Sequence, residues 1–191
     1  MKNFRTAFVL AAGLVASAAS VTAFAQAVVV PAQSQITFAA KEMGVPVEGH
    51  FGKWTANIAF DPKTPEAGKV AFTIQTASAS FGAPETDAEV PKPEWFNVAK
   101  FPTATFASTA IKAKGAGKYD VSGNLTVKGT TKPVVVPIAL AQAGSTTTAT
   151  GQFAIKRNDF KIGEGEWADT SQVADEVMVK FKITLTGVGP L

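Results

Sequence analysis

Two residue types that often carry chemistry are almost missing from this sequence, which contains no cysteine and a single histidine, His50. The absence of cysteine excludes disulfides, thiolate metal sites, a cysteine nucleophile and a lipid-modified N-terminal cysteine. A single imidazole excludes multi-histidine metal sites, and no serine lies in a Gly-x-Ser-x-Gly turn where it could act as a hydrolase nucleophile. Phosphate-binding glycine loops, dinucleotide fingerprints and EF-hand loops are missing too. The sequence therefore predicts a protein that is not an enzyme and that carries no metal or cofactor.

Charged residues are also scarce, at 17% of the sequence, and the 18 basic and 15 acidic groups nearly balance. Such a balance argues against nucleic acid as a partner. Hydrophobic residues make up 46% of the 191 residues, which is the composition of a folded globular protein. The length suits one ordinary domain with a short appendage.

The appendage is at the N-terminus. Two basic residues precede a nearly apolar stretch at 7–19, and the triplet at 23–25 has the small-x-small form of a cleavage site. This order is typical of a cleaved secretory signal peptide. The apolar stretch is shorter than the roughly 20 residues that a membrane-spanning helix needs. We therefore predict a signal peptide at 1–25 and an exported, soluble domain at 26–191.

Most of that domain alternates apolar and polar residues, and a period of two is typical of strands with one buried face. The clearest case is 177–185, where five apolar residues share one face and lysines and a threonine occupy most of the other. Pro133 and Pro137 lie on the outer face of another such stretch, which should carry a bulge or lie partly unpaired. Comparable alternation is found at 36–38, 54–60, 70–74, 119–127, 134–140 and 153–155.

About eight such stretches, separated by turns rich in glycine and proline, predict an all-β fold, an antiparallel up-and-down eight-stranded barrel. Segment 80–100 contains three prolines, which forbid a long helix, and is predicted to be an irregular crossover with a short helical turn. Segment 157–175 is predicted to be an irregular loop. The outer faces are rich in lysine and threonine, which argues against an outer-membrane barrel with apolar bands facing lipid.

Arg157 has the same strand parity as Phe153, which predicts that its side chain points into the barrel. A buried guanidinium needs a partner, and Asp175 or Glu176 could form an internal salt bridge with it. In the alternative interpretation, Arg157 is a cationic contact for the head group of an anionic ligand. The sequence leaves both interpretations open.

Several runs of residues, in a fixed order, resemble one family. The most specific run is 123–134, and another, 95–106, begins with a Trp-Phe pair. The further runs lie at 34–38, 43–51, 58–62, 157–163 and 175–177. Together they resemble the YceI-like family of exported bacterial proteins, over nearly all of the predicted domain. The resemblance implies a lipocalin-like barrel, a periplasmic location and the binding of polyisoprenoids or other lipids.

The function implied by this resemblance is that of a carrier, which holds an apolar lipid-like ligand inside the barrel and performs no chemistry. A polyisoprenoid, an isoprenoid quinone, a fatty acid or a fatty amide would fit. Because alternation does not distinguish a hollow barrel from a filled one, the alternative is an exported structural or stress-related protein that acts through surface partners. A homodimer is compatible with both. The candidate ligand-binding residues are Phe38, Met43, Val45, Phe51, Phe60, Phe72, Ile74, Trp95, Phe96, Phe106, Phe153 and Phe181.

The sequence departs from the family pattern just before the Trp-Phe pair. Many members of the family carry Arg-Asp-x-His-Leu there, whereas residues 86–90 read Thr-Asp-Ala-Glu-Val. The two basic residues that are lost would lie near the expected mouth of the cavity, where they would suit a diphosphate. The sequence therefore favours an uncharged or amphiphilic apolar ligand over a lipid diphosphate.

Overall fold

The computed structural model describes residues 26–191, and the predicted signal peptide lies outside the described residues. The described chain forms one antiparallel sheet and one short α-helix, α1 (Pro84–Glu89). None of its helices has the length and apolar character required to cross a membrane. The strands are β1 (Gln26–Val29), β2 (Gln35–Glu42), β3 (Val45–Phe51), β4 (Trp54–Ala59), β5 (Lys69–Gln75), β6 (Ala79–Ser80), β7 (Thr103–Gly115), β8 (Lys118–Val127), β9 (Thr130–Ala143), β10 (Thr146–Lys156) and β11 (Glu176–Thr186).

The eleven strands make up eight long ones, because each of the first three long strands is interrupted once and is therefore divided into two. A 3-10 turn at Pro31–Gln33 separates β1 from β2, Gly52 and Lys53 separate β3 from β4, and a 3-10 turn at Thr76–Ser78 separates β5 from β6. Each long strand pairs with its neighbours in the sequence. Strand β11 pairs back with both β1 and β2, which closes the sheet. The predicted eight-stranded, up-and-down antiparallel barrel is confirmed.

Strand β9 lacks one of its two neighbours along the half that contains its two prolines, as their positions predict. Strand β9 pairs with β8 throughout, and Pro133 lies opposite Asn124. Its ladder with β10 begins at the turn between them and ends where Ile138 lies opposite Gly151. Since proline has no N–H to donate, the half of β9 that contains Pro133 and Pro137 pairs on one side only.

The crossover predicted at 80–100 contains α1, followed by turns that lead to β7. Pro84 occupies the first turn of α1, where a missing N–H breaks no hydrogen bond. The loop predicted at 157–175 contains two 3-10 turns, Arg157–Phe160 and Gly165–Ala168. Because antiparallel strands alternate in direction, the crossover and this loop lie at the same end of the barrel as the β2–β3 hairpin and the β8–β9 turn.

The opposite end of the barrel is packed with side chains. Phe60 and Tyr119 meet edge to face with their ring centroids 5.2 Å apart, and Ile111 and Val188 are buried in the same cluster. This packing forms a floor under the barrel interior. The interior can therefore open at the other end, between the crossover and the 157–175 loop, and we call that end the mouth.

Candidate ligand-binding cavity

The barrel encloses a cavity of about 750 Å³. Its walls are the inward faces of the strands, and most of the side chains that form them are apolar. Small-molecule sites commonly measure about 300–1,000 Å³. Among the described residues, no three histidine, cysteine, aspartate or glutamate side chains are grouped so that they could hold a metal ion. The cavity is suited to binding an apolar molecule.

Most of the candidate residues identified in the sequence lie together in the wall of this cavity. They come from six strands, from the residue that follows β4 and from the crossover, so the fold brings together side chains that are far apart in the chain. The residues in the wall are Phe38, Phe51, Phe60, Phe72, Ile74, Trp95, Phe96, Phe106, Phe153 and Phe181.

The structure places Met43 and Val45 outside the cavity wall, in contrast to the sequence-based expectation. Their exposed fractions are 76% and 62%, and both lie at the tip of the β2–β3 hairpin. Val45 has the same parity as Val47, which does line the cavity. Because the hairpin extends past the mouth, a residue with inward parity at its tip is not enclosed by the barrel.

Sequence reasoning also missed part of the wall. The aliphatic side chains Val121, Val136, Ile138 and Leu140 line the cavity. Their parity identifies them as inward-facing, but the candidate ligand-binding residues are mainly aromatic. Trp167, in the 157–175 loop, lines the cavity as well, and alternation carries no signal for a loop residue.

Glycines with inward parity make room for phenylalanine rings along the wall. The ring of Phe106 lies so close to Gly123 that a Cβ on the glycine would fall 2.4 Å from the ring atom Cζ. Each such ring therefore lies against a neighbouring strand and does not stand in the lumen. This packing explains physically how a barrel rich in phenylalanine stays hollow. The other two pairs, with corresponding distances of 2.5 Å, are Phe38 with Gly49 and Phe181 with Gly151.

Aromatic contacts join the crossover to the rest of the mouth. Phe96 meets Phe51 of β3 edge to face, with ring centroids 6.1 Å apart. Trp95 packs against Trp167, with ring centroids 5.6 Å apart. The Trp-Phe pair of the sequence thus contacts the barrel wall on one side and the 157–175 loop on the other.

Lys128, in the β8–β9 turn, binds three parts of the mouth together. Its side chain is 4% exposed, and its Nζ donates to the carbonyl oxygens of Glu94 (3.2 Å) and Lys161 (2.7 Å) and to Oε2 of Glu164 (2.8 Å). The hydrogen bond from Lys128 holds the pKa of Glu164 below its ordinary value. Alternation assigns Lys128 to an exposed turn, and its burial is not visible in the sequence because two of its acceptors are backbone atoms of distant segments.

Arg157 points inward, as predicted, but its partners differ from the predicted ones. It is 1% exposed, and its Nη1 and Nη2 donate to the carbonyl oxygens of Ile162 (2.9 Å) and Val173 (2.6 Å). No described residue forms a salt bridge with it. The prediction of an ion pair with Asp175 or Glu176 is therefore wrong. Burial lowers the pKa of Arg157, and the charge of Asp175 partly opposes that shift. The carbonyl dipoles of the 157–175 loop take the place of a carboxylate.

The segment that departs from the family pattern lies at the mouth. Asp87 holds α1 against β6, because its Oδ2 accepts a hydrogen bond from Oγ of Ser80 and its Oδ1 accepts one from N–H of Phe81, both at 2.6 Å. These two hydrogen bonds, the one from Ser80 first, lower the pKa of Asp87. Glu85 and Glu89 of α1 line the cavity. This side of the mouth therefore presents carboxylates to an entering ligand.

Comparisons with known proteins agree with this architecture. The family model of the YceI-like domain matches residues 28–185. A UPF0312 protein of Ectopseudomonas mendocina is 35% identical over 140 residues, which is 71% of each chain. A UPF0312 protein of Azotobacter vinelandii is 42% identical over 88 residues, and there the chain spans 46% of the relative's length.

Two solved structures share the fold. The crystal structure of Burkholderia cenocepacia BcnA has 43% sequence identity and a TM-score of 0.80, over 82% of this chain and 98% of BcnA. A polyisoprenoid binding domain from Saccharophagus degradans has 16% identity and a TM-score of 0.69, over 86% of this chain and 99% of that domain. The second likeness concerns the fold alone. Since the family model covers 28–185 and its relatives align across most of the barrel, this chain belongs to the YceI-like family.

Proposed function

We propose that this protein is a periplasmic carrier, which binds one apolar lipid-like molecule inside the barrel and performs no chemistry on it. The observation that carries the proposal is the apolar cavity of about 750 Å³. A polyisoprenoid is the first ligand class to consider, because a polyisoprenoid binding domain shares the fold. An isoprenoid quinone, a fatty acid or a fatty amide would use the same apolar walls.

The hydrophobic effect would supply the affinity. Each CH₂ group that leaves water for the cavity contributes about 0.8 kcal/mol, before the costs of ordering the ligand are subtracted. A chain of several isoprene units would gain enough from burial to bind without ionic contacts. The alternative of a filled barrel that acts through surface partners is disfavoured by the same cavity, since such a barrel needs no interior space.

A bulky side chain added to the wall tests the proposal. Ala40 lines the cavity on β2, whereas Ala39 on the same strand does not. We expect Ala40→Trp to weaken the affinity for geranylgeraniol at least tenfold, because the indole would occupy the lumen. The affinity is measured by displacement of the fluorescent probe N-phenyl-1-naphthylamine. Ala39→Trp, the matched control, should bind like the wild-type protein. Equal binding by the two variants, or no binding by the wild-type protein, would contradict the proposal.

Export to the periplasm is a second part of the proposal, and it is supported by the signal-peptide pattern at 1–25. Osmotic shock should release the protein without detergent, with Gln26 as its first residue if cleavage follows residue 25. Retention of the full chain in the membrane fraction would oppose export as a free protein. A homodimer also stays a prediction, which light scattering on the released protein would test.

A further inference from the structure

The tip of the β2–β3 hairpin is an exposed apolar surface. Among the large hydrophobic side chains of the described residues, those of Met43 and Val45 are the most exposed, at 76% and 62%. Gly44 and Pro46 are exposed too, and the four residues carry no charge. Single exposed hydrophobic residues are ordinary on protein surfaces. Two large ones in one projecting turn form a surface that would gain free energy by leaving water.

Met43 occupies a backbone position that suits other residue types. Its φ is 49° and that of Gly44 is 81°, so the two residues form the tight hairpin turn in which both positions are left-handed. Asparagine, aspartate and glycine adopt this conformation at low cost, whereas a methionine is strained there. Because the Met43 side chain is largely exposed, packing within the chain does not offset that strain.

The other described non-glycine residues with positive φ each have a reason for their identity. Asn97 is of a type that favours the conformation, and Ala116 has only a small side chain. Lys161 ends the 3-10 turn at Arg157–Phe160, and Lys128 forms the three hydrogen bonds described above. Met43 differs from all of them, because its long side chain has no such role inside the protein. This indicates that the side chain contacts something outside the chain.

The tip lies where a ligand would enter or leave the barrel. Val45 has the same parity as Val47, which lines the cavity, so the inner face of the hairpin continues the apolar wall past the mouth. Backbone hydrogen bonds hold the hairpin against the 157–175 loop, and one of them runs from Met43 N–H to the carbonyl oxygen of Gln172 at 2.7 Å. The tip is therefore a fixed projection beside the opening.

The residues around the tip favour an apolar partner over a charged one. Lys41 and Glu42 precede the tip and have opposite charges, and the neighbouring loop residues 170–172 are uncharged. No surplus of one sign at this apex would select an anionic or a cationic surface. The ligands of the proposed carrier are poorly soluble in water and dissolve in bilayers, which offer the apolar surface that the tip would need.

We propose that the hairpin tip 43–46 docks the barrel reversibly on a lipid bilayer, with the side chains of Met43 and Val45 inserted among the lipids. The ligand then passes between the bilayer and the cavity along the inner face of the hairpin. This inference rests on the proposed carrier function and names the surface with which the carrier exchanges its ligand. Because apolar burial drives the contact, it needs no anionic lipid and persists at high salt.

Met43→Asn separates docking from folding. Asparagine suits the left-handed position, so the variant should be at least as stable as the wild-type protein in urea. Its binding to phosphatidylcholine vesicles, measured by co-flotation, should fall by roughly fivefold or more. Ala116→Asn is the matched control, because Ala116 has the same place in the two-residue turn between β7 and β8, with a φ of 50°, at the floor end. It should be equally stable and should bind vesicles like the wild-type protein.

A second measurement locates the contact. Since the chain has no cysteine, a single introduced cysteine can carry the environment-sensitive dye nitrobenzoxadiazole. With the dye on Val45→Cys, fluorescence should rise and shift to the blue when phosphatidylcholine vesicles are added. With the dye on Val135→Cys, it should not change, because Val135 is 56% exposed on the outer face of β9, away from the mouth.

The docking would be overturned by wild-type protein that does not float with the vesicles, or by Met43→Asn that floats equally well. A blue shift at position 45 that follows protein concentration without vesicles would assign the tip to a second copy and would also overturn it. All of these results leave the carrier function intact. Failure of geranylgeraniol to displace N-phenyl-1-naphthylamine from the wild-type protein in vesicle-free solution would instead overturn the carrier function.

Discussion

At the scale of single residues, the mouth depends on buried cations whose partners are largely backbone atoms. Lys128 connects the β8–β9 turn to the crossover and to the 157–175 loop through three hydrogen bonds. Removing its ammonium would leave two buried carbonyl groups and the Glu164 carboxylate without that donor. The cost of losing such a partner exceeds the net value of a single exposed hydrogen bond.

We therefore expect Lys128→Met to lower the free energy of unfolding by roughly 1–3 kcal/mol, measured by urea titration. Methionine keeps most of the unbranched apolar stem and removes the donor. Lys114→Met is the matched control, because the Lys114 side chain is 59% exposed and lies 3.5 Å from Asp120. Exposed substitutions of this kind usually stay within about 0.5 kcal/mol. Equal stability of the two variants would contradict the role given to Lys128.

Glu164 makes the same contact dependent on pH. Lys128 lowers the pKa of Glu164 in the folded protein, so the contribution of this pair to stability is fully present above the ordinary glutamate pKa. It is lost as the pH falls through the lowered value, when the carboxylate takes up a proton. We expect the loss of stability in this acidic range to be smaller in Glu164→Gln than in the wild-type protein, as measured by urea unfolding at a series of pH values. Parallel profiles for the two proteins would be evidence against the contact.

At the scale of strands, pairs of glycine and phenylalanine keep the interior open. A Cβ at Gly123 would lie 2.4 Å from the Phe106 ring and 2.6 Å from the backbone oxygen of Ala107. Both the ring and the strand would have to move to accept it. The ring could move only towards the lumen, because the strands occupy its other side.

Gly123→Ala should therefore destabilise the protein by roughly 1–3 kcal/mol and weaken binding of N-phenyl-1-naphthylamine. Gly52→Ala is the matched control, because the nearest atom to a Cβ there is the backbone oxygen of Ser78, at an ordinary contact distance of 3.7 Å. Urea unfolding and probe binding measured on both variants would check the prediction. Comparable effects at Gly123 and Gly52 would show that crowding at the ring is not the cause.

The period of two predicted most of the long strands from the sequence, because each of them buries one face and exposes the other, but no such stretch was recognised at β3 or β7. The two prolines, which lack an N–H, predicted a bulge or partial unpairing in their stretch, and the half of β9 that contains Pro133 and Pro137 shows the partial unpairing. The period of two could not predict that Val45 leaves the cavity wall, because parity does not report where a hairpin passes the mouth. Nor could it predict the partners of Arg157 and Lys128, since these include backbone carbonyls that only the folded loops bring together.

At the scale of the whole molecule, the barrel combines a packed floor, a hollow apolar interior and a mouth built from the crossover and the 157–175 loop. Alternation alone is equally compatible with a filled barrel, so the cavity was not predictable from periodicity. The glycines at 49, 123 and 151 were a usable signal, because a glycine with inward parity next to a phenylalanine leaves space for the ring. The family resemblance identified the ligand class that this interior could accept.

The central claim is that the interior holds a lipid, and native mass spectrometry tests it most directly. The mature protein would be purified from its own export route, and any bound molecule would then be extracted and identified. The account predicts one lipid-sized adduct per chain. A ligand-free mass that persists after incubation with isoprenoid quinones, isoprenoid alcohols and fatty acids would contradict it.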